Sequence, residues 1–177
     1  MRSIPLSAKR RLHVADERGA TAVEFAIIAA PFLFLLFGFM ELCLLFFINV
    51  VLEHGTTEAA RLIRTGQAQQ ASFDEVNFKQ SVCDELFNLF DCTDNLHIDV
   101  RKVDQFAGTD PILAQDADGN FATAHFDFSP GDSRDIVIVR VFYEWSLITP
   151  FISQPLANLP ENKRLLVASE AFRNEPF

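Results

Sequence analysis

The sequence is poor in the residues that most enzyme chemistry requires. Its four histidines, His13, His54, His97 and His125, lie on separate segments without ligand-like spacing, and its three cysteines have neither the spacing nor the neighbours of a zinc site. Seven glycines form no phosphate-cradling loop and no Gly-x-Ser-x-Gly turn. The run Asp116-Ala117-Asp118-Gly119-Asn120 resembles a calcium loop, but its Gly is fourth rather than sixth and no Glu follows at the twelfth position, so it reads as a solvated turn. No catalytic constellation, metal, cofactor or small-molecule substrate is expected. Basic residues are scarce too: five of the 15 (Arg2, Lys9, Arg10, Arg11 and Arg18) fall in residues 1–19, leaving ten against 22 acidic side chains. So acidic a body is unsuited to nucleic acid, whose phosphates are bound by clustered Lys and Arg. A length of 177 residues suits one ordinary domain and excludes a large multidomain enzyme.

Charge is scarcest between Ala20 and Leu52, where Glu24 and Glu41 are the only formal charges and seven of the 19 Phe reside. A bilayer core of about 30 Å needs roughly 20 apolar residues in a helix, and Phe25 to Leu52 exceeds that. A membrane span is therefore expected. A soluble helix this long and apolar all round would need cover on every side, and a cleavable secretory signal has an apolar region of only about 7 to 15 residues. Lys9, Arg10, Arg11 and Arg18 precede the span, and the positive-inside tendency keeps them in the cytoplasm. The expected organisation is a basic cytoplasmic leader at 1–19, a transmembrane helix at 20–52, a helical stalk at 53–66 and an exported domain at 67–177. Outside a bacterial cytoplasm conditions are oxidising, so a disulfide between Cys83 and Cys92 is expected rather than two free thiols, with Cys43 inside the span.

The junction Arg18-Gly19-Ala20-Thr21-Ala22-Val23-Glu24-Phe25 contains a carboxylate that needs a partner, since one left alone at bilayer depth costs about 2.5 to 3.5 kcal/mol. Cleavage between Gly19 and Ala20 would supply one, placing a new α-amino group one helical turn from Glu24. On these residues alone, a second reading stands beside it: Gly19 as a plain helix entry and Glu24 reaching for headgroups. Ala22, Ala26, Ala29 and Ala30 are small residues at near-helical spacing that let another helix approach closely in lipid. Pro31 removes a backbone bond and should loosen the helix a turn earlier. Glu41 lies about 100° around the helix from Glu24, off its face. Two roles stay open for it, binding a partner helix within the membrane or marking the far headgroups.

Helical pattern continues through Glu58 and Arg61, a favourable i,i+3 pair, until Gly66 offers a stop. Such a helix, from Ala20 to about Thr65, would be roughly 69 Å long. Beyond it, Val76, Cys83, Leu86, Phe87 and Phe90 recur at helical spacing and predict a second helix over 73–90. Alternation predicts strands at Leu96 to Val100, Phe121 to Phe128, Ile136 to Leu147 and Arg164 to Phe172, with loops at 110–120 and around Pro150, Pro155 and Pro160. The expected fold class is α+β: a long amino-terminal transmembrane helix running into a small periplasmic domain with a mainly antiparallel sheet and one extra helix.

A basic leader, Gly19 at a cut, Glu24 as the fifth residue after it and then an apolar stretch resembles the precursors of type IV pilin-like proteins. The wording Gly19-Ala20-Thr21-Ala22-Val23-Glu24-Phe25-Ala26, with Pro31 soon after, is similar to the TadE-like minor pilins, or pseudopilins, of the tight-adherence (Flp) pilus system. Glu58-Ala59-Ala60-Arg61 with Thr65-Gly66-Gln67 resembles that family's post-membrane motif, and Phe172-Arg173-Asn174-Glu175-Pro176-Phe177 resembles its ending. The resemblance implies cutting at Gly19/Ala20 by a prepilin peptidase and pairing of Glu24 with the freed amino terminus. It also implies residence in the inner membrane and partnership with other minor pilins and the major pilin. The alternative is an uncleaved, signal-anchored periplasmic sensor or binding module.

Overall fold

The structure, a computed structural model, describes residues 17–87, 90–106, 114–116, 119–149 and 153–177. The basic leader residues Arg2, Lys9, Arg10 and Arg11, together with His13, most of the 110–120 loop and Pro150, lie outside the described residues. Two compact units divide the chain, Met1–Leu36 and Phe37–Phe177.

Helix α1 (Glu17–Arg64) is one continuous element that passes through Pro31. In the first unit its described side chains are almost all exposed, Phe25, Ile28 and Leu35 each at 70% or more. In the second unit the same helix is two-faced. Glu41, Leu45, Ile48, Leu52, Ala59, Ala60 and Ile63 are buried, whereas Phe39, Met40, Phe46, Phe47 and Val50 are exposed. Thus one side of the helix forms a core within the chain before Leu52, the residue at which composition draws the end of the span.

The second unit is an α+β domain around a three-stranded antiparallel sheet of β1 (Leu96–Val103), β2 (Ile136–Ser146) and β3 (Lys163–Arg173), with β2 in the middle. Val100 faces Val139, and Val141 faces Ala168. Alternation places Leu96, Ile98, Val100, Val137, Val139, Val141, Tyr143, Leu166 and Ala168 in one core, shared with the buried side chains of α1. Burial of a side chain such as Leu52 or Ile63 contributes about 1.5 to 3 kcal/mol.

The extra helices are α2 (Gln67–Gln70) and α3 (Glu75–Glu85), one more than the sequence suggests. Asp74 caps α3 by accepting a hydrogen bond from the Asn77 backbone N–H at 2.8 Å. The helical face differs from the expected one. Phe78, Val82 and Leu86, spaced by four, are fully buried, whereas Val76 and Phe87 are 72% and 66% exposed. At Gly55, α1 comes so close to this face that an added Cβ would sit 2.7 Å from Leu86 Cδ2. Cys83 and Cys92 are joined by a disulfide that ties α3 to the segment after it, their Cα atoms 6.1 Å apart.

The strand expected at 121–128 is absent among the described residues. Instead, Phe128 forms a single parallel bridge to Val100, held by Val100 N–H to Asp127 C=O (2.8 Å) and Ser129 N–H to Val100 C=O (2.7 Å). Phe121 and Phe126 fold over the second face of the sheet, where Phe142, Leu159 and Leu165 form a smaller core. Phe126 stacks on Phe142 with ring centroids 4.8 Å apart. The aromatic residues were recruited to cover β2 rather than to extend the sheet.

Candidate functional site

The sequence-derived site residues fall into three groups. The first lies on the opening turns of α1. Gly19 and Ala20 are exposed and helical, with open space where a Gly19 Cβ would stand. Glu24 is also exposed, and among the described residues no basic side chain pairs with it. Ala22 and Ala26 are exposed and Ala29 is half-buried, so the small-residue face is open to a neighbouring helix.

The second group is Glu41 and its surroundings. Its side chain is buried, and its two carboxylate oxygens accept backbone N–H bonds from Ile148 at 2.6 Å and Thr149 at 2.9 Å. Charge-assisted bonds of this kind are about twice as strong as neutral ones. They pin the chain just after β2 onto α1. Both roles considered for Glu41 from sequence placed its partner outside the chain; the structure places its hydrogen-bond partners within it, 107 and 108 residues away.

The third group joins the post-membrane motif to the tail. Glu58 and Arg61 form a 3.3 Å ion pair on the helix surface, of a kind that contributes little stability. Gly66 ends the helix with φ +78°, a left-handed conformation that favours Gly, and its open face is covered by the Phe177 ring. Glu175 N–H donates to the Arg64 carbonyl at 2.8 Å, satisfying one of the helix's last free acceptors. Their side chains form a 3.7 Å ion pair as well. Asn174 is the keystone: it is 2% exposed, and its Nδ2 donates to the carbonyls of Pro130 (3.0 Å) and Asp132 (2.9 Å), while its N–H donates to Asp135 C=O (2.8 Å). From the other side Gln69 Nε2 donates to the carbonyls of Pro130 and Gly131. Arg173 and Pro176 flank Asn174 and Glu175 and are exposed. The tail, more than 100 residues beyond the post-membrane motif, thus closes over the end of α1 and onto the 130–132 turn, where Gln69, which sequence reasoning passed over, binds as well.

On the second face of the sheet charged side chains pair with one another and with the backbone. Asp99, 1% exposed, bonds Arg101 Nε at 2.7 Å and accepts the Asp127 N–H at 3.0 Å, with Arg140 across the strand at 3.8 Å. Burial pushes the His97 imidazole below its ordinary pKa, aided by Lys79 and opposed by Glu144. Asp135 is held below the usual carboxylate range by the Asp132 backbone N–H and by Lys102, which is itself raised by the same bond. Among the described residues no cluster of three or more His, Cys, Asp or Glu side chains could hold a metal ion.

Fold and helix define a class first: a small α+β domain carrying a helix that, among the described residues, is alone in being long and apolar enough to cross a membrane. The apolar helix suggests a membrane anchor. Comparison narrows the class, because the family model described as TadE-like protein matches residues 19–61. That segment, about a quarter of the chain, is TadE-like, and it suggests a protein associated with a tight-adherence pilus. It takes in Gly19, Glu24, Pro31, Glu41, Glu58 and Arg61 but not Gly66 or the tail. No curated protein and no solved structure matches the chain.

Proposed function

We propose that this protein is a membrane-anchored TadE-like minor pilin, cut between Gly19 and Ala20 by a prepilin peptidase and engaged in assembling a tight-adherence pilus. The observation that carries the reading is the TadE-like match beginning at Gly19 and running along the apolar helix. The exposed Gly19, Ala20 and Glu24 on the opening turns of α1 support it, since a peptidase needs access and a freed amino terminus needs an unencumbered carboxylate. Its partners are then the inner membrane, the peptidase, other minor pilins and the major pilin, with the leader cytoplasmic and the α+β domain periplasmic. The protein acts by packing rather than by catalysis.

An uncleaved signal-anchored sensor or binding module is the competing reading, and one pair of variants separates them. In a host with an intact pilus system, Gly19→Ala should leave a slower-migrating precursor, and Glu24→Ala should permit insertion but reduce piliation. Unchanged mobility for Gly19→Ala and normal pili for Glu24→Ala would support the sensor.

A further inference from the structure

The exposed face of α1 stays apolar well into the second unit. From Phe37 through Phe39, Met40, Cys43, Phe46 and Phe47 to Val50 the outward side chains carry no charge; the half-buried Asn49, whose Nδ2 donates to Glu53 at 2.8 Å, is the first polar group on that surface, and Glu53, His54 and Thr57 follow. The one charged side chain within this stretch, Glu41, is turned inward and covered by the backbone of Ile148 and Thr149. Helix length bears on what this face meets. Val23 to Leu36 extends about 20 Å at 1.5 Å per residue, short of the roughly 30 Å hydrocarbon core. Extending the exposed apolar run to Val50 gives about 40 Å, which matches the roughly 40–45 Å of core plus headgroup zones.

We infer that membrane lipid covers α1 as far as Val50, so that from Glu41 to Val50 the helix has lipid on one side and its own α+β domain on the other. The inference rests on the reading of α1 as a membrane anchor and adds the depth at which the domain is seated. Two clefts flank the helix at this level, both suited to acyl chains. One, of about 550 Å³, is mainly apolar and is lined by Phe37, Met40, Cys43, Phe47 and Ile148, with Glu41 in its wall and both carboxylate oxygens occupied by the Ile148 and Thr149 amides. The other, of about 260 Å³, lies among Leu42, Phe46, Asn49, Leu156, Leu166 and Arg164, whose Nη1 donates to the Leu156 carbonyl at 2.8 Å. A guanidinium beside an apolar slot suits a lipid phosphate above a buried chain. Glu41 is a positioning residue in this scheme: by holding Ile148 and Thr149 against the helix it removes the charge that lipid would otherwise meet.

Cys43 is the sole cysteine outside the disulfide, so the full-length protein carries one natural depth probe. On a Cys43→Ser background, Phe47→Cys, Val50→Cys and His54→Cys place probes at further exposed positions. Each protein is reconstituted in phosphatidylcholine–phosphatidylglycerol vesicles and exposed to a charged maleimide. In parallel, a fluorophore at the same thiol is challenged with doxyl-labelled phospholipid. Cys43 and the probes at 47 and 50 should react on the order of a hundredfold more slowly than the probe at 54, as expected for a charged reagent kept out of the bilayer. Their fluorophores should also be quenched by the labelled lipid. If 47 and 50 react as fast as 54 while Cys43 stays protected, the domain sits clear of the lipid and the inference fails although the anchor stands. Protection without lipid quenching would mean that protein, such as a second copy, covers the face, which also overturns it. Full reactivity at Cys43 would overturn the inference too, while the 23 residues from Ala20 to Leu42 still suffice to anchor the chain; release of the protein from the vesicles by alkaline carbonate would remove the anchor reading itself.

Discussion

Replacing Asn174 with Ala should weaken the whole domain, not merely loosen a tail. In the native protein its Nδ2, on a buried side chain, donates to the carbonyls of Pro130 and Asp132 at 3.0 and 2.9 Å, on a turn that is itself partly open to solvent. Each such neutral bond is worth about 0.5 to 1.5 kcal/mol, and an acceptor left buried and unpaired costs about 1 to 3 kcal/mol. Pro130 keeps its bond from Gln69, but Asp132 loses the side-chain donor that faces it. Loss of the two bonds comes to about 1 to 3 kcal/mol, a large part of the roughly 5 to 15 kcal/mol that stabilises a typical domain. Asn174→Asp should be worse, because a carboxylate oxygen would then face two carbonyl oxygens. Denaturant unfolding of the full-length protein in detergent micelles can be followed by Trp145, the only tryptophan, which packs against the main core. A loss below about 0.5 kcal/mol for Asn174→Ala, the range of an ordinary surface change, would refute the closure described for this region.

Three further outcomes use the same assay. Gly66→Ala should destabilise by about 2 kcal/mol or more, since an L-residue in the left-handed region costs roughly 1 to 2 kcal/mol and its Cβ would displace the Phe177 ring. Loss of the Cys83–Cys92 disulfide through the paired Ser variant should cost about 2 to 3 kcal/mol, the loop-entropy value for so short a closure; an unchanged midpoint would count against it. For His97, burial first and Lys79 second lower the folded pKa below 6.5, so the unfolded chain binds the extra proton first. Its contribution is therefore present above about pH 6.5 and is lost as pH falls below it. His97→Gln should flatten the decline in stability between about pH 7 and pH 5, and an identical slope would contradict this.

Much of the architecture was legible because its signals are local. Alternation marks β1, β2 and β3, and the charge-free run from Phe25 marks the apolar part of α1. The misread elements are those whose fate is decided across the fold. Val76 and Phe87 have the right spacing for a helix face, yet Phe78, Val82 and Leu86 meet Gly55 of α1, and only that close approach decides which face turns inward. Phe121 to Phe128 has strand composition, but Asp99 and Val100 bind only the Asp127–Ser129 end of it, leaving Phe121 and Phe126 to cover Phe142. For the candidate site, Glu41 stood out in sequence as a charge in an apolar run. Its partners are backbone amides, which no side-chain pattern announces. Similarly, nothing in the tail's composition indicates that Asn174 grips the 130–132 turn while Glu175 and Phe177 close over the end of α1.

The bond between Gly19 and Ala20 decides between a processed minor pilin and an uncleaved anchor. Intact-mass and amino-terminal analysis of the protein, purified from the membranes of a host with a working tight-adherence system, tests it most directly. A mature chain beginning at Ala20, with its α-amino group one turn from Glu24, is the predicted result. A chain that still carries the residues ahead of Gly19, recovered from cells that make pili, would contradict it.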